Sequence, residues 1–500
     1  MLRPISLAIL GIASGFGSAH AEGWRLSTSA SVQMIVSDNI NFSPVAPSSD
    51  VLTEVTPTVD LRRSSPRLKL NANYSPRMMY YADDTFPSRI ANNMSANGSF
   101  EVVDDLFFLD AKASQTQRRR SVFNAQPNLL NSTLGDSTET RVFSLSPSMR
   151  GTVRLGDIAT WKSSYTIARS ESSRREGALT TRTFSGTLQG APATLSWKGV
   201  LSSRVTDSGN ANNSERESIV GSLIYKPDVQ IELTGRYGYE KSTIGNRRDG
   251  ATYGGGLDWR PSQRTALSLD YDERPYGSTA NYKLSHRLPR TAFNAAYTRN
   301  IVSRIDTLLE GSGLEDLYET LAFVEPYASI ADPEERRDAI RADALAGRIP
   351  GYGSLDSPIL TDREYRRSRW SLGVVHTGAR NTLSFTMYQS TNDSGIGSVG
   401  GSLVGDFAEA SVIVQKGWTI GLSHRLSPVS SLNFSLNSFD TSGRVTSRTT
   451  TERNVFNATY STALGAYTSG SIGLRMMRGT VAAGDVDENA LIATVSTRFF

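Results

Sequence analysis

Residues 67–74 read RLKLNANY. Leu68, Leu70, Ala72 and Tyr74 share one parity; Arg67, Lys69, Asn71 and Asn73 share the other. Successive side chains of a strand face opposite sides, so this segment has one apolar and one wet face. The same period recurs along the chain. Met94, Ala96, Gly98, Phe100 and Val102 alternate with polar residues, as do Phe143, Leu145 and Met149, then Ile231, Leu233, Tyr237 and Tyr239, then Leu432, Phe434 and Leu436. Many of these runs reach about ten residues, the length a tilted strand needs to cross a bilayer.

The connections alternate as well. Tight ones, such as Val103-Asp104-Asp105, Lys226-Pro227-Asp228, Pro261-Ser262-Gln263 and Thr377-Gly378-Ala379, are interleaved with long polar stretches at 82–89, 118–138, 170–179, 206–215, 242–250, 392–405 and 477–488. Short turns on one rim and long loops on the other mark an outer-membrane barrel. The expected fold is therefore all-β: a transmembrane antiparallel outer-membrane β-barrel of 20 to 22 strands, with both termini on the short-turn side. The chain ends in Phe499-Phe500, a terminal aromatic of the kind that barrel-assembly machinery recognises.

Composition narrows the class further. Of 500 residues, 38% are hydrophobic and 20% charged, lean for a densely packed soluble protein. There is no cysteine, which excludes a disulfide scaffold, a thiolate metal site, a cysteine nucleophile and a lipoprotein anchor. The 18 Phe, 19 Tyr and 6 Trp, spread along the chain, argue against disorder. Residues 1–21 have the parts of a secretory signal in order: Arg3, an apolar run from Ile5 to Phe16, and Ala19-His20-Ala21 for cleavage. Residues 22–500 form the expected barrel. No later stretch approaches the roughly 18–20 apolar residues of a spanning helix.

The segment 303–364 breaks the alternation. Leu314, Leu317, Tyr318 and Leu321 fall at helical spacing. Asp332-Pro333-Glu334-Glu335 supplies a cap, a proline at the first helical position and acids in the first turn. This helix is expected to run to Ala346 and stop at Gly347. Between Arg304 and Glu364 there are 14 acidic and 6 basic residues, a net of −8, which leaves +11 on the rest of the mature chain. By strand count this acidic insert falls in a long-loop, extracellular position, placed to cap or plug a basic lumen.

Three stretches resemble the outer-membrane proteins that accompany exosortase (PEP-CTERM) systems and exopolysaccharide loci. They are VTPTVDLRR…RLKLNANYSP at 55–76, DPEERRDAI at 332–340 and LTDREYRRSRWSLGVVHTGARNTLSFTMY at 360–388. The resemblance implies a compartment, the outer membrane of a Gram-negative bacterium, and a context of polymer export. It carries no catalytic motif.

Signatures of chemistry are weak. Leu134-Gly135-Asp136-Ser137 matches the nucleophile block of GDS-type esterases but lacks the late Asp-x-x-His. Asp485-Val486-Asp487-Glu488-Asn489 offers oxygens to calcium yet lacks the glycine and distal Glu of a binding loop, so it reads as a solvated loop. His286, His376 and His424 each lie beside a short turn and read as interfacial side chains. There is no His-Glu-x-x-His, phosphate loop or dinucleotide fingerprint. No enzyme activity, cofactor, metal or nucleic-acid partner is expected.

The lumen remains. Arg67, Lys69, Lys112, Arg150, Arg154, Lys198, Arg204, Arg236, Lys283, Arg287, Arg367 and Arg369 all fall on the wet parity. Residue by residue, they are expected to pair with acids such as Glu232, Asp258, Asp270 and Asp272. Taken together with the charge segregation, they suggest a cation-lined path, since rings of Arg and Lys select anions. The leading expectation is a channel exporting an anionic exopolysaccharide, or serving linked secretion. A non-conducting structural or adhesive barrel and a general solute porin are the alternatives. Expected partners are outer-membrane lipid and lipopolysaccharide, the barrel-assembly machinery, anionic polysaccharide and periplasmic export components.

Overall fold

The computed structural model describes residues 23–119, 121–123, 137–155, 158–172, 178–208, 213–243, 249–309, 364–395, 405–444, 450–481 and 484–499, with residues 327, 330, 336, 340, 359 and 361. Twenty-four strand segments form one antiparallel sheet. Strand follows strand in chain order, and the sheet closes where Trp24–Ser37 meets Gly484–Arg498, with Ser29 opposite Arg498 and Ser37 opposite Ala490. Closure satisfies the backbone of every wall strand, which an open edge in lipid would leave unpaired.

Two lines of the wall are interrupted. Leu68–Tyr74 and Arg77–Tyr81 both pair with Asp50–Ser64, one after the other, and Arg89–Ala91 and Met94–Val103 pair with them in turn. The break falls at Ser75-Pro76, where the proline has no N–H to donate to the ladder. Counted as continuous staves, the barrel has 22 strands. An even number brings the first and last strands to the same rim.

The apolar parity faces outward. Leu233, Phe143, Phe100, Leu436 and Leu474 are all exposed, although they are large apolar residues. Trp197, Tyr225 and Trp259 add rings to this face near the short turns, and Tyr237, Tyr239 and Tyr253 add rings nearer the long loops. An exposed apolar band with aromatic residues at two levels is the surface a lipid bilayer covers.

Ten connections on the rim that carries the termini span two to four residues each. Those on the other rim are longer in all cases but one. The stretch 477–488, expected to be a long loop, is instead a hairpin: the strand Thr468–Val481 runs into Gly484–Arg498, with Val481 opposite Gly484. The alternation continues through this polar stretch, so its acids divide between the two faces.

The strand Thr291–Val302 ends where the helical segment was expected to begin. A short helix, Arg304–Leu309, follows. Ser303 and Asp306 start it reciprocally: Ser303 N and Oγ both donate to Asp306 Oδ2 at 2.8 Å, and Asp306 N donates to Ser303 Oγ at 3.3 Å. Leu314, Leu317, Tyr318 and Leu321 lie outside the described residues. Within the expected helix after Asp332, Arg336 and Ile340 are helical and Ile340 is fully buried. Residues 1–21 also lie outside the described residues.

Candidate functional site: the lumen and its mouth

The wet parity faces inward, and the expected bases occupy two levels. Lys69, Lys112, Arg150, Lys198, Arg236, Lys283 and Arg287 sit in the half nearer the short turns. Arg204, Arg367 and Arg369 sit nearer the long loops. Arg67 lies in a turn rather than on the wall, where it pairs with Asp104 of the next turn at 2.7 Å, both largely exposed. Arg154 is in a strand opposite Thr160, and its side chain lies outside the described ones.

Several of these bases pair within the wall. Arg150 pairs with Asp110 and lies over the Phe108 ring at 4.8 Å. Arg236 reaches over the neighbouring strand, Gly250–Ser262, to Asp270 at 2.8 Å and Asp272 at 2.7 Å, and donates to Gly255 O at 2.8 Å. That crossing needs glycine at 254 and 256. A Cβ on Gly256 would stand 2.6 Å from Asp270 Oδ1 and 3.3 Å from the Arg236 guanidinium, and one on Gly254 would collide with Asp272. Glu232 pairs instead with Lys226 near the short-turn rim, at 2.8 Å. Lys69, Lys112 and Lys283 are exposed to the lumen, and Lys198 is half-buried.

The mouth differs. Its inner wall carries apolar residues on the wet parity: Ile35, Leu52, Met79, Ile413, Val455, Met477 and Val486, all buried. Inward-folded loops cover them. Ile40 joins Ile35, Leu52, Met79 and Tyr81, and Phe42 joins Val455, Met477 and Val486. From another loop, Phe123 packs with Phe407, Ile359, Tyr365 and Ile413. Thr451 Oγ1 donates to Phe123 O at 2.6 Å. Asp406, which opens the short helix Asp406–Glu409, accepts from Ser121 Oγ at 2.6 Å and Val122 N at 3.2 Å.

These contacts span the ring. Phe123 follows the strand Phe107–Arg119 but meets a strand about a third of the circumference away. Likewise, helix Arg304–Leu309 leaves the strand Thr291–Val302, yet Ile305 packs on Ala168 and Leu179, seven to eight strands back. Links between such distant wall segments pass through the mouth of the lumen.

Two arginines hold both ends of the acidic insert. Arg204 contacts Asp306 at 2.8 Å and Ser303 Oγ at 3.0 Å. Glu364, just before the strand Tyr365–Thr377, turns one oxygen, Oε1, toward Arg216 at 3.0 Å and Arg204 at 3.6 Å. Behind Arg216 lies the Tyr276 ring at 5.8 Å, whose hydroxyl accepts from Arg274 at 3.1 Å. Burial pushes the Tyr276 phenol up, against the opposing pull of Arg274 and Arg216. Charge complementarity between insert and wall is thus realised at these named pairs.

The remaining motifs fall elsewhere. His286, His376 and His424 sit on the outward parity by the short turns, within hydrogen-bonding distance of Thr265 (2.9 Å), Thr291 (2.9 Å) and Asn381. Leu134, Gly135 and Asp136 lie outside the described residues, and Ser137 begins a strand. The stretch 485–489, expected as a solvated loop, is strand: Asp485 accepts from Thr480 and Glu488 is buried inward, so the carboxylates do not converge. Among the described residues no cluster of potential metal ligands occurs.

Sequence reading missed the buried pairs of the mouth. Arg475 and Glu488 form a two-point fork at 2.9 and 2.6 Å, almost fully buried. Arg77 and Glu54 form another at 2.8 and 2.6 Å. Arg453 is buried over the Phe439 ring at 4.8 Å. Parity alone would have placed all of them inward; treating 477–488 as a loop hid Glu488.

Fold and site together define the class: a 22-stranded transmembrane β-barrel of the outer-membrane type, with a polar lumen and a mouth crossed by its own loops. No protein-family model matches the chain, and no curated protein matches it. Among solved structures it is similar to the siderophore receptor PirA of Pseudomonas aeruginosa, at 10% identity and a TM-score of 0.41, covering 95% of this chain and 80% of that one. OprD of the same organism matches at 9% identity and a TM-score of 0.33, covering 96% and 97%. The copper transporter OprC matches at 8% identity and a TM-score of 0.36, covering 95% and 80%.

Proposed function

We propose that this protein is a loop-gated outer-membrane channel that exports an anionic exopolysaccharide or serves secretion linked to it. The observation that carries the reading is the contrast inside the lumen. Lysines and arginines line the half nearer the short turns, and the mouth is crossed by loops whose acids dock on Arg204 and Arg216. A cationic path draws polyanions from the periplasm, and an acid-latched mouth keeps the channel shut without them. The resemblance to exosortase-associated proteins supplies the polymer context. Working partners in this reading are lipopolysaccharide around the wall, the assembly machinery at the last strand, and periplasmic export components at the short-turn rim.

Planar-bilayer recording of the purified barrel, with and without residues 306–357, tests the reading. Deletion is expected to raise single-channel conductance while heat-modifiable gel migration persists. Unchanged conductance would remove the gate. A complete lack of conductance in both forms would favour the second reading, a non-conducting surface barrel, which the apolar packing of Phe123, Ile359 and Phe407 across the mouth also supports.

A further inference from the structure

The ion pairs of the lumen side fall into two kinds. Arg77–Glu54 and Arg475–Glu488 join strand to strand, and each guanidinium meets both carboxylate oxygens. Such forks are matched in shape, and both oxygens of each carboxylate are engaged, as a fixed structural link should be. Glu364 is different. Only its Oε1 meets the arginines, and Thr206 Oγ1 approaches the same oxygen at 3.5 Å. Its Oε2 is buried and accepts no hydrogen bond, and Arg204 Nε likewise has no hydrogen-bond partner. A buried carboxylate oxygen without a donor is costly, so this contact is poorly matched to its site.

Arg216, by contrast, is well held. Arg216 stacks over Tyr276, which is buried, and Tyr276 is fixed by Arg274 at its hydroxyl and by Arg366 at its backbone carbonyl, 3.2 Å away. Arg274 is paired in turn with Glu240 at 3.3 Å. The backbone of Arg204, near the long-loop end of its strand, is held in register on both sides, and its side chain meets Ser303, Asp306 and Glu364. Glu364 lies outside the ladder, one residue before the strand Tyr365–Thr377. The site therefore has a fixed barrel backbone and a braced Arg216, and an adjustable side chain at Glu364. The site opens on one side: Arg204 and Asp306 are 22% and 24% exposed, whereas Arg216 and Glu364 are 16% and 5% exposed.

We propose that Arg204 and Arg216 form a carboxylate-binding site for an acidic sugar, a uronate unit of a polymer, and that Glu364 and Asp306 occupy it in the closed state as internal mimics. This deepens the channel reading and rests on it for its biological meaning. The present occupants are both carboxylates, and the planar guanidinium fork matches that group. An incoming uronate offers two oxygens where Glu364 engages one. Displacing Glu364 needs only its side chain to withdraw, because Tyr365 behind it stays anchored against Phe407 at a ring distance of 5.3 Å.

The test is calorimetric titration of the full-length detergent-solubilised protein with tetragalacturonate, with maltotetraose as the uncharged comparison. An internal competitor lowers apparent affinity by the fraction of time the site is free, so Glu364→Gln is expected to bind tetragalacturonate about tenfold more tightly than the wild type. Glu364→Asp, which keeps the charge at shorter reach, should fall between them. Adding Arg204→Gln to Glu364→Gln should abolish binding, and maltotetraose should bind none of the variants. Heat-modifiable migration verifies that each variant is folded. Equal affinity of Glu364→Gln, Glu364→Asp and the wild type, binding that survives Arg204→Gln, or equal binding of maltotetraose would each overturn the proposal. The same proteins in planar bilayers separate the two readings: tetragalacturonate binding without any conductance would leave the site standing and remove the channel.

Discussion

The lumen half near the short turns and the mouth are built from the same inward parity, yet they differ in nearly every property. In the first, Lys69 and Lys112 meet solvent, and acids such as Asp270 are only partly covered. In the second, Ile35, Leu52 and Ile413 are fully buried on the face that should be wet, and Arg475 and Glu488 are sealed next to Met477 and Val486, on which Phe42 of the 38–49 loop packs. Parity decides which way a side chain points. Whether it then meets water depends on what the loops do. In the short-turn half, connections of two to four residues cannot reach over the lumen, so lysines such as Lys69 and Lys112 stay solvated, and burial there is confined to small neighbouring groups such as Val375, Ala292 and Ser384. At the mouth, long loops fold back and turn the inner wall into a small protein core.

The sharpest way to break this comparison is to attack a sealed pair. Arg475→Ala leaves Glu488 buried without its partner and is expected to cost about 3–5 kcal/mol, read from urea unfolding in lipid vesicles. A cost near that of an exposed pair would mean that residues 38–49 do not exclude water there.

The next largest effect tests the direction of parity. Leu233→Arg puts a charge on the lipid face and should cost about 2–4 kcal/mol, with Leu145→Arg similar. Thr234→Arg, one residue on and facing the lumen, should cost far less. Equal costs at 233 and 234 would show that the apolar face does not meet lipid.

A smaller effect is expected at the glycine crossing. Gly256→Ala pushes a methyl group against the Arg236–Asp270 pair and should destabilise by about 1–3 kcal/mol, the usual range for overpacking. Gly235→Ala, where a Cβ meets nothing within 4 Å, is the control and should be nearly silent. The smallest effect belongs to the turn rim. Arg67→Ala breaks a pair that is mostly in solvent, so the change should stay below about 1 kcal/mol and shrink with added salt.

Much of this was legible from residues alone, for specific reasons. Strands of ten or more residues, sorted turns and the even strand count follow from local periodicity and local breakers such as Pro76. Arg236 on the inward face, near Asp270 and Asp272, also follows from parity. The sequence misled at 477–488, where a cluster of acids looked like a solvated loop; cross-strand pairing with Arg475 keeps it in the wall. Nor could it reveal that Arg204, one of a dozen inward bases, is matched with Asp306, about a hundred residues further along the chain.

By itself, the order of residues determined the period of two, the outward greasy face, the inward bases and the acidity of one insert. These are short-range properties, set by the geometry of a strand and the chemistry of each side chain. Only the tertiary structure decided that the mouth has a core of its own, that Phe123 and Ile305 reach wall segments a third of the ring away, and that Glu364 lies between Arg204 and Arg216. Those contacts depend on closure. Until the first strand meets the last, the inner wall has no inside, and the loops have no opposite wall on which to bury their apolar and acidic groups.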